Sequence, residues 1–258
     1  MHKIRPLRNA KLEEVSIEDN KLYSFSSLYS LSIYPIDGVY TFIPKNACST
    51  LRFSIALANG FIDDISNINW IHYNNKTLKS SQREIAQAKY TFTVLRCPFA
   101  RVASSFLDYI VSGEFTFKDF SGQKLSINFH EFLVIIKSQP REDRDPHWRN
   151  QSDFLHYELY DDYFSLESFS EAISTLMHKG LKVHDTRKYL KHDISSLKRI
   201  DGDFSKIKDV ELKKIKDNGS APNYKSMFTK EEIDLVEDIY SDDLKLYKNH
   251  FGDENLLF

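Results

Sequence analysis

The chain has 258 residues, 41% hydrophobic and 28% charged, with a formal net charge of −2, a balance that suits a soluble globular protein with a sizeable core. It excludes the overall basic footprint of a nucleic-acid binder. Two cysteines, Cys48 and Cys97, are too few for a disulfide framework and lack the spacing of a zinc site, and no apolar run approaches the roughly 20 residues that cross a membrane.

Residues 1–37 read as an N-terminal lead-in. Its start, Met1-His2-Lys3-Ile4-Arg5-Pro6, is basic, but no continuous apolar signal region follows. The first informative stretch is Tyr40-Thr41-Phe42-Ile43-Pro44-Lys45-Asn46-Ala47-Cys48-Ser49-Thr50. A short apolar run ends in Pro44 and Lys45, small and hydroxyl residues follow, and a helical pattern runs to Asn59 with Gly60 as its stop. Such a strand-turn-helix aims successive backbone N–H groups and a helix N-terminus at one anion, with Lys45 adding a mobile charge. No glycine lies between Val39 and Asn59, so the Walker pattern of ATPases is absent.

A second strand-turn-helix follows. Tyr90 to Leu95 is aromatic and β-branched, a strand pattern, and Pro98 suits the first turn of a helix. Phe99, Val102, Ala103, Phe106 and Ile110 fall on one helical stripe. Arg101, Ser104, Ser105 and Asp108 fall opposite, and Arg101 and Asp108 read as a solvated face. Arg96, at the strand end, is a natural fork for a second phosphate.

Further along, 112–151 reads as a polar insertion with a helix over Phe129 to Ile136, and the charged run 141–145 as a solvated loop. A helix is expected from Leu166 to His178 and a strand from Leu181 to Val183. The basic stretch 206–216 reads as a wet face or as a neighbour of a bound anion. Thr229-Lys230-Glu231-Glu232 is a capping box that opens a helix with Ile233, Val236, Ile239, Tyr240, Leu244 and Tyr247 on its apolar side.

Two of these segments resemble a known family. Pro44 to Thr50 resembles the 5'-phosphosulfate loop of sulfotransferases that use 3'-phosphoadenosine-5'-phosphosulfate (PAPS). Arg96 to Phe106 resembles their 3'-phosphate motif, R-x-P-[FW]-x-R-x-x-S-x-[YF], with arginine and serine eight positions apart. The closest likeness is to the carbohydrate, Golgi-type branch, sulfotransferase family 2. His147-Trp148 and Gln151 resemble its H-W-x-P-Q segment, with Asn150 where proline is usual. Tyr160-Asp161 with Glu167 resembles its Y-D...E element. Asn218-Gly219-Ser220 and the helix through Tyr240 and Asp243 resemble its N-x-S loop and last helix. The resemblance implies a single α/β domain over 38–258, with a central parallel sheet flanked by helices in the P-loop NTPase-like sulfotransferase fold. It also implies sulfuryl transfer from PAPS to a hydroxyl, on a carbohydrate in this branch. PAPS is then a cosubstrate, and no metal is expected.

Under this likeness Lys45 neutralises charge on the transferring group. The amides from Asn46 through Ala47, Cys48 and Ser49 to Thr50, with the last two hydroxyls, hold the 5'-phosphate. Arg96 and Ser104 hold the 3'-phosphate, with Asn218 and Ser220 beside the nucleotide. The attacking hydroxyl needs a base, and histidine suits neutral pH. His72 lies between the two motifs, 24 residues before Arg96, where related polysaccharide sulfotransferases place theirs. His147 is the rival, and with Trp148, which could stack on a sugar, it marks the expected acceptor side. The other histidines, among them His184 and His192, carry no functional reading. A start at methionine without a signal or anchor leads to the expectation of a cytoplasmic, bacterial enzyme of polysaccharide biosynthesis. Two other classes share parts of the pattern: a P-loop kinase or nucleotide-binding protein, and a non-catalytic glycan-binding module on a sulfotransferase scaffold.

Overall fold

The computed structural model describes residues 5–11, 15–17, 19–74, 76–186, 189 and 197–258; Met1 to Ile4 and His192 lie outside them. The chain forms two compact units, one of Met1–Arg96 with Asn150–Leu190, the other of Cys97–Arg149 with Lys191–Phe258.

The first unit holds a four-stranded sheet in the order β1 (Ser30–Ile33), β2 (Gly38–Thr41), β3 (Tyr90–Leu95), β4 (Asp162–Ser165). β2–β3 and β3–β4 are parallel, so their C-terminal ends share one edge. The central sheet is parallel as expected, with β1 added antiparallel to β2 at its edge, for a simple cause. Only 34–37 separates the two strands, too little chain for a parallel crossover. Every residue of β3 is buried, which explains its unbroken run of strand formers. Tyr40 and Phe92 stack at 4.8 Å across β2 and β3, and Phe164 meets Phe92 edge-on.

Helices α1 (Lys21–Leu28), α2 (Cys48–Ala58), α3 (Trp70–Tyr73), α4 (Gln82–Gln87) and α7 (Phe169–His178) belong to the same unit. The lead-in is thus part of the fold. It supplies α1 and β1, and Arg5 donates to Ala88 O, Lys89 O and Thr91 Oγ1 while pairing with Asp161 at 2.7 Å. α2 stops as expected at Gly60 (φ 78°), where Phe61 N–H returns to Ala56 O. The strand expected at Leu181 to Val183 does not form. Gly180 (φ 97°) and Leu181 are used to close α7, through Gly180 N–H to Met177 O and Leu181 N–H to Leu176 O.

The second unit holds α5 (Pro98–Ser105), a π-helical turn over Phe106–Ile110, α6 (Phe129–Ser138), α8 (Asp209–Asp217), α9 (Lys230–Ile239), α10 (Ser241–Phe251) and the short parallel pair β5 (Lys198–Ile200) and β6 (Ser220–Pro222). The capping box at Thr229 and Glu232 is formed, but the expected single helix breaks at Tyr240 into α9 and α10. Every residue of α5 is buried. Arg101 is therefore not on a solvated face: it is 2% exposed and donates to Arg149 O at 2.7 Å and Pro146 O at 3.0 Å. Asp108 is likewise buried.

Among the described residues no helix is long and apolar enough to cross a membrane.

Candidate active site

At the C-terminal edge of the parallel strands, β2 runs through the buried Phe42, Ile43 and Pro44 into the turn that starts α2. Lys45 (φ 72°) and Ala47 (φ 57°) both adopt left-handed backbone, a conformation that costs a residue with Cβ roughly 1–2 kcal/mol. Alternation of this kind makes a concave row of N–H groups, an anion-binding nest. The first helical bond is Leu51 N–H to Ala47 O at 3.1 Å, which leaves the first-turn amides of Cys48, Ser49 and Thr50 as donors without helical acceptors. Ser49 is half-buried. The Thr50 hydroxyl is buried and lies 2.8 Å from Thr186 Oγ1.

Asn46 is fully buried and holds the turn in place. Its Nδ2 donates to Val94 O at 2.8 Å and to Gln151 Oε1 at 2.6 Å. Gln151 Oε1 also accepts from Arg96 N–H at 3.0 Å, and its Nε2 donates to Arg96 O at 2.8 Å. Arg96 Nη1 in turn donates to Lys45 O at 2.9 Å. Lys45, Asn46, Arg96 and Gln151 thus form one connected network across the tips of β2 and β3. Sequence reasoning placed three of them but gave Gln151 no role; its place in the H-W-x-P-Q-like segment was the available signal.

His72 belongs to the same unit, exposed on α3. Its helix is tied to the helix of the anion turn, because buried Arg52 of α2 donates from Nη2 to Ile71 O.

The remaining expected residues belong to the second unit. Ser104 is buried and its hydroxyl donates to Asp108 Oδ2 at 3.1 Å. Asn218 caps α8 and is exposed, and Ser220 opens β6. Within the basic stretch, Lys206 pairs with Glu231 and Glu232, Lys208 with Glu131, Lys213 with Asp217, and Lys214 with Glu211. This is the ion-paired wet face that such runs usually form.

His147 has the geometry of an oriented base. Asp145 Oδ1 lies 2.7 Å from His147 Nδ1 and also accepts His147 N–H at 2.8 Å. The ring stacks on Tyr109 with centroids 3.9 Å apart, and the side chain is 32% exposed. Burial, then the carboxylate of Asp145, raises the Tyr109 phenol above its ordinary value. Asp145 was missed as a partner, although it stands only two residues before His147. Trp148 is a correction: at 1% exposure it packs among Phe115, Phe117 and Phe132, so it is a core residue and no platform for a sugar.

His130, Glu231 and Glu232 bring potential metal-ligand atoms within 4.8 Å of one another. The Lys206 ammonium already lies 2.9 Å and 3.3 Å from the two carboxylates, so this cluster is an ion-pair network that carries its own cation.

Comparison with known proteins adds one finding. No curated protein and no solved structure matches the chain. A family model described as Sulfotransferase family matches residues 38–250, from the start of β2 into the last turn of α10, and so takes in both anion motifs and both candidate histidines. The chain therefore belongs to the sulfotransferase family, in the branch designated family 2.

Proposed function

We propose that this sulfotransferase moves the sulfuryl group of PAPS to a hydroxyl of a carbohydrate acceptor, with Lys45 as the charge-stabilising residue and a histidine as base. The observation that carries the reading is the 2.9 Å bond from Arg96 Nη1 to Lys45 O. It sets two cationic residues from two different motifs at one sheet edge, beside a turn with several amide donors.

In this reading the acceptor oxygen attacks sulfur in line, and the bond from sulfur to the bridging phosphate oxygen breaks. The acceptor's proton passes to histidine, and 3'-phosphoadenosine-5'-phosphate (PAP) departs. Positioning and charge stabilisation do the work, as in phosphoryl transfer. The amides from Ala47 to Thr50 hold the 5'-phosphate, since the expected Asn46 N–H already donates to Ile43 O at 3.2 Å; Lys45 meets the charge growing on the bridging oxygen, and Arg96 meets the 3'-phosphate. Ser104, Asn218 and Ser220 enter from motif likeness alone. His72 is the proposed base, on a helix tied to α2 through Arg52 and Ile71. The orientation of His147 by Asp145 favours a second reading, in which His147 takes the proton.

Radiolabelled PAPS offered with a panel of glycans tests the proposal. Labelled product is expected, and Lys45→Ala should lower turnover about 10²-fold or more. Near-normal turnover in that variant, or no transfer to any acceptor by a protein that binds PAP, would overturn it.

A further inference from the structure

At the opposite end of the parallel strands three aromatic side chains from separate segments meet at the surface. Phe61 and Trp70 stack with centroids 5.6 Å apart and planes 20° apart, and Tyr34 meets Phe61 at 6.2 Å. Tyr34 is 50% exposed and Phe61 37%, so their placement outside the core is not explained by burial. Their positions are built. Asn59 receives Tyr34 N–H on Oδ1 and donates from Nδ2 to Ser32 O, both at 2.8 Å, which fastens the end of β1 to the end of α2. The return bond of Phe61 N–H to Ala56 O then holds Phe61 beside Tyr34.

Tyr34 also lines a groove of about 460 Å³, which continues between Asp37, Arg83, Glu84, Gln87 and Lys89. That volume lies in the range of small-ligand sites. The four ionisable side chains cancel in formal charge; Lys89 pairs with Asp37 at 2.8 Å, and Arg83 donates to Gln87 at 3.2 Å. From Asn59 to Asn74 there is no lysine or arginine, only the acids Asp63 and Asp64, and the amides of Asn59 and Asn74 bond the backbone of the aromatics, at Tyr34 N–H and Trp70 O. Aromatic faces beside amides and a charge-balanced groove match the alternating C–H and hydroxyl surfaces of a sugar. Polyanions, nucleic acids and anionic membranes need a basic surface that this segment lacks.

We infer that Tyr34, Phe61 and Trp70, with the adjoining groove, form a separate binding site for a neutral or amino-bearing glycan. Tyr34 and the groove lie away from the sulfuryl-transfer turn, whereas Trp70 reaches toward it on α3, two residues before His72 and beside Ile71, whose carbonyl Arg52 holds. Gly38 opens β2 at this end and Lys45 follows at the other, about 20 Å away along an extended chain. The site would hold a distal part of the polymer acceptor, and in that respect it rests on the proposed function; the binding itself does not.

The test uses the full chain without PAPS on an array of gluco-, galacto-, manno- and glucosamine oligomers, with heparin and polyuronate as polyanions. Trp70 fluorescence is followed in solution for the oligomers that bind. Binding to a neutral or amino oligomer, rising with chain length and weakened at least tenfold in both Phe61→Ala and Tyr34→Ala, is expected. No oligomer bound, a preference for the polyanions, or binding unchanged in the two variants overturns the inference. PAP-induced thermal stabilisation, measured in parallel, shows that each variant is folded. It also separates the two proposals: PAP binding without glycan binding sinks this one alone, and the reverse sinks the sulfuryl-transfer reading alone.

Discussion

Gln151 holds both backbone groups of Arg96, receiving its N–H at 3.0 Å and giving a proton to its carbonyl at 2.8 Å. A side-chain amide here does what a neighbouring strand would do, one residue beyond the end of β3. The same Oε1 takes the buried Asn46 amide at 2.6 Å, so one side chain sets the spacing between the anion turn and the arginine.

Gln151→Ala should therefore act on stability and on ligand binding together. It leaves buried polar groups on Arg96 and Asn46 unpaired, at about 1–3 kcal/mol for each such group. A loss of about 2–4 kcal/mol in urea unfolding is expected, with PAP affinity at least tenfold weaker. Calorimetric titration with PAP and urea melts check both. Unchanged PAP affinity would remove Gln151 from the site.

Arg96→Ala separates the two ends of the nucleotide. Loss of a charged hydrogen bond should cost roughly 1.5–3 kcal/mol in PAPS binding. Adenosine 5'-phosphosulfate, which has no 3'-phosphate, should bind the variant almost as it binds the wild type. Equal losses for both nucleotides would show that Arg96 acts through Lys45 O and not on the 3'-phosphate.

What could be read from sequence followed contiguity. The turn from Pro44 to Thr50 and the helix that ends at the Gly60 stop signal are local events, set by small residues, a proline and a periodic pattern. Arg101 shows the limit. Helical periodicity places it opposite Phe99 and Val102, but it cannot show that carbonyls of Pro146 and Arg149, over 40 residues later, cover that face. Trp148 is the same problem in reverse, since exposure depends on Phe115, Phe117 and Phe132 from distant segments. The π-helical turn at Phe106–Ile110 and the left-handed Lys45 and Ala47 have no glycine to announce them.

His156 gives a prediction about acid stability. It is fully buried, 2.7 Å from Ser26 Oγ, and burial lowers its imidazole from 6.5 to about 4. The unfolded chain binds a proton near 6.5 and the folded chain only near 4, so protonation favours unfolding. Stability from this group is complete above pH 6.5 and declines as pH falls toward 4, by about 3 kcal/mol in all. Urea melts of wild type and His156→Gln at pH 7 and pH 4.5 check this: the variant should show the smaller acid loss. Equal acid losses would place the sensitivity elsewhere.

The base is decided by pH–rate profiles rather than by activity alone, since either histidine could lower turnover by disturbing its surroundings. A base must be neutral to accept the acceptor's proton, so the rate should fall below a histidine's ordinary range of about 6.5. Replacing the true base removes that acidic limb and leaves a low, flat rate; replacing the other histidine leaves the limb in place. Asp145→Asn adds a control, because Asp145 contacts the Nδ1 of His147. If His147 is the base, this change should lower the plateau rate, because it removes the partner that orients the ring. If His72 is the base, exposed on α3, Asp145→Asn should leave the profile where it was.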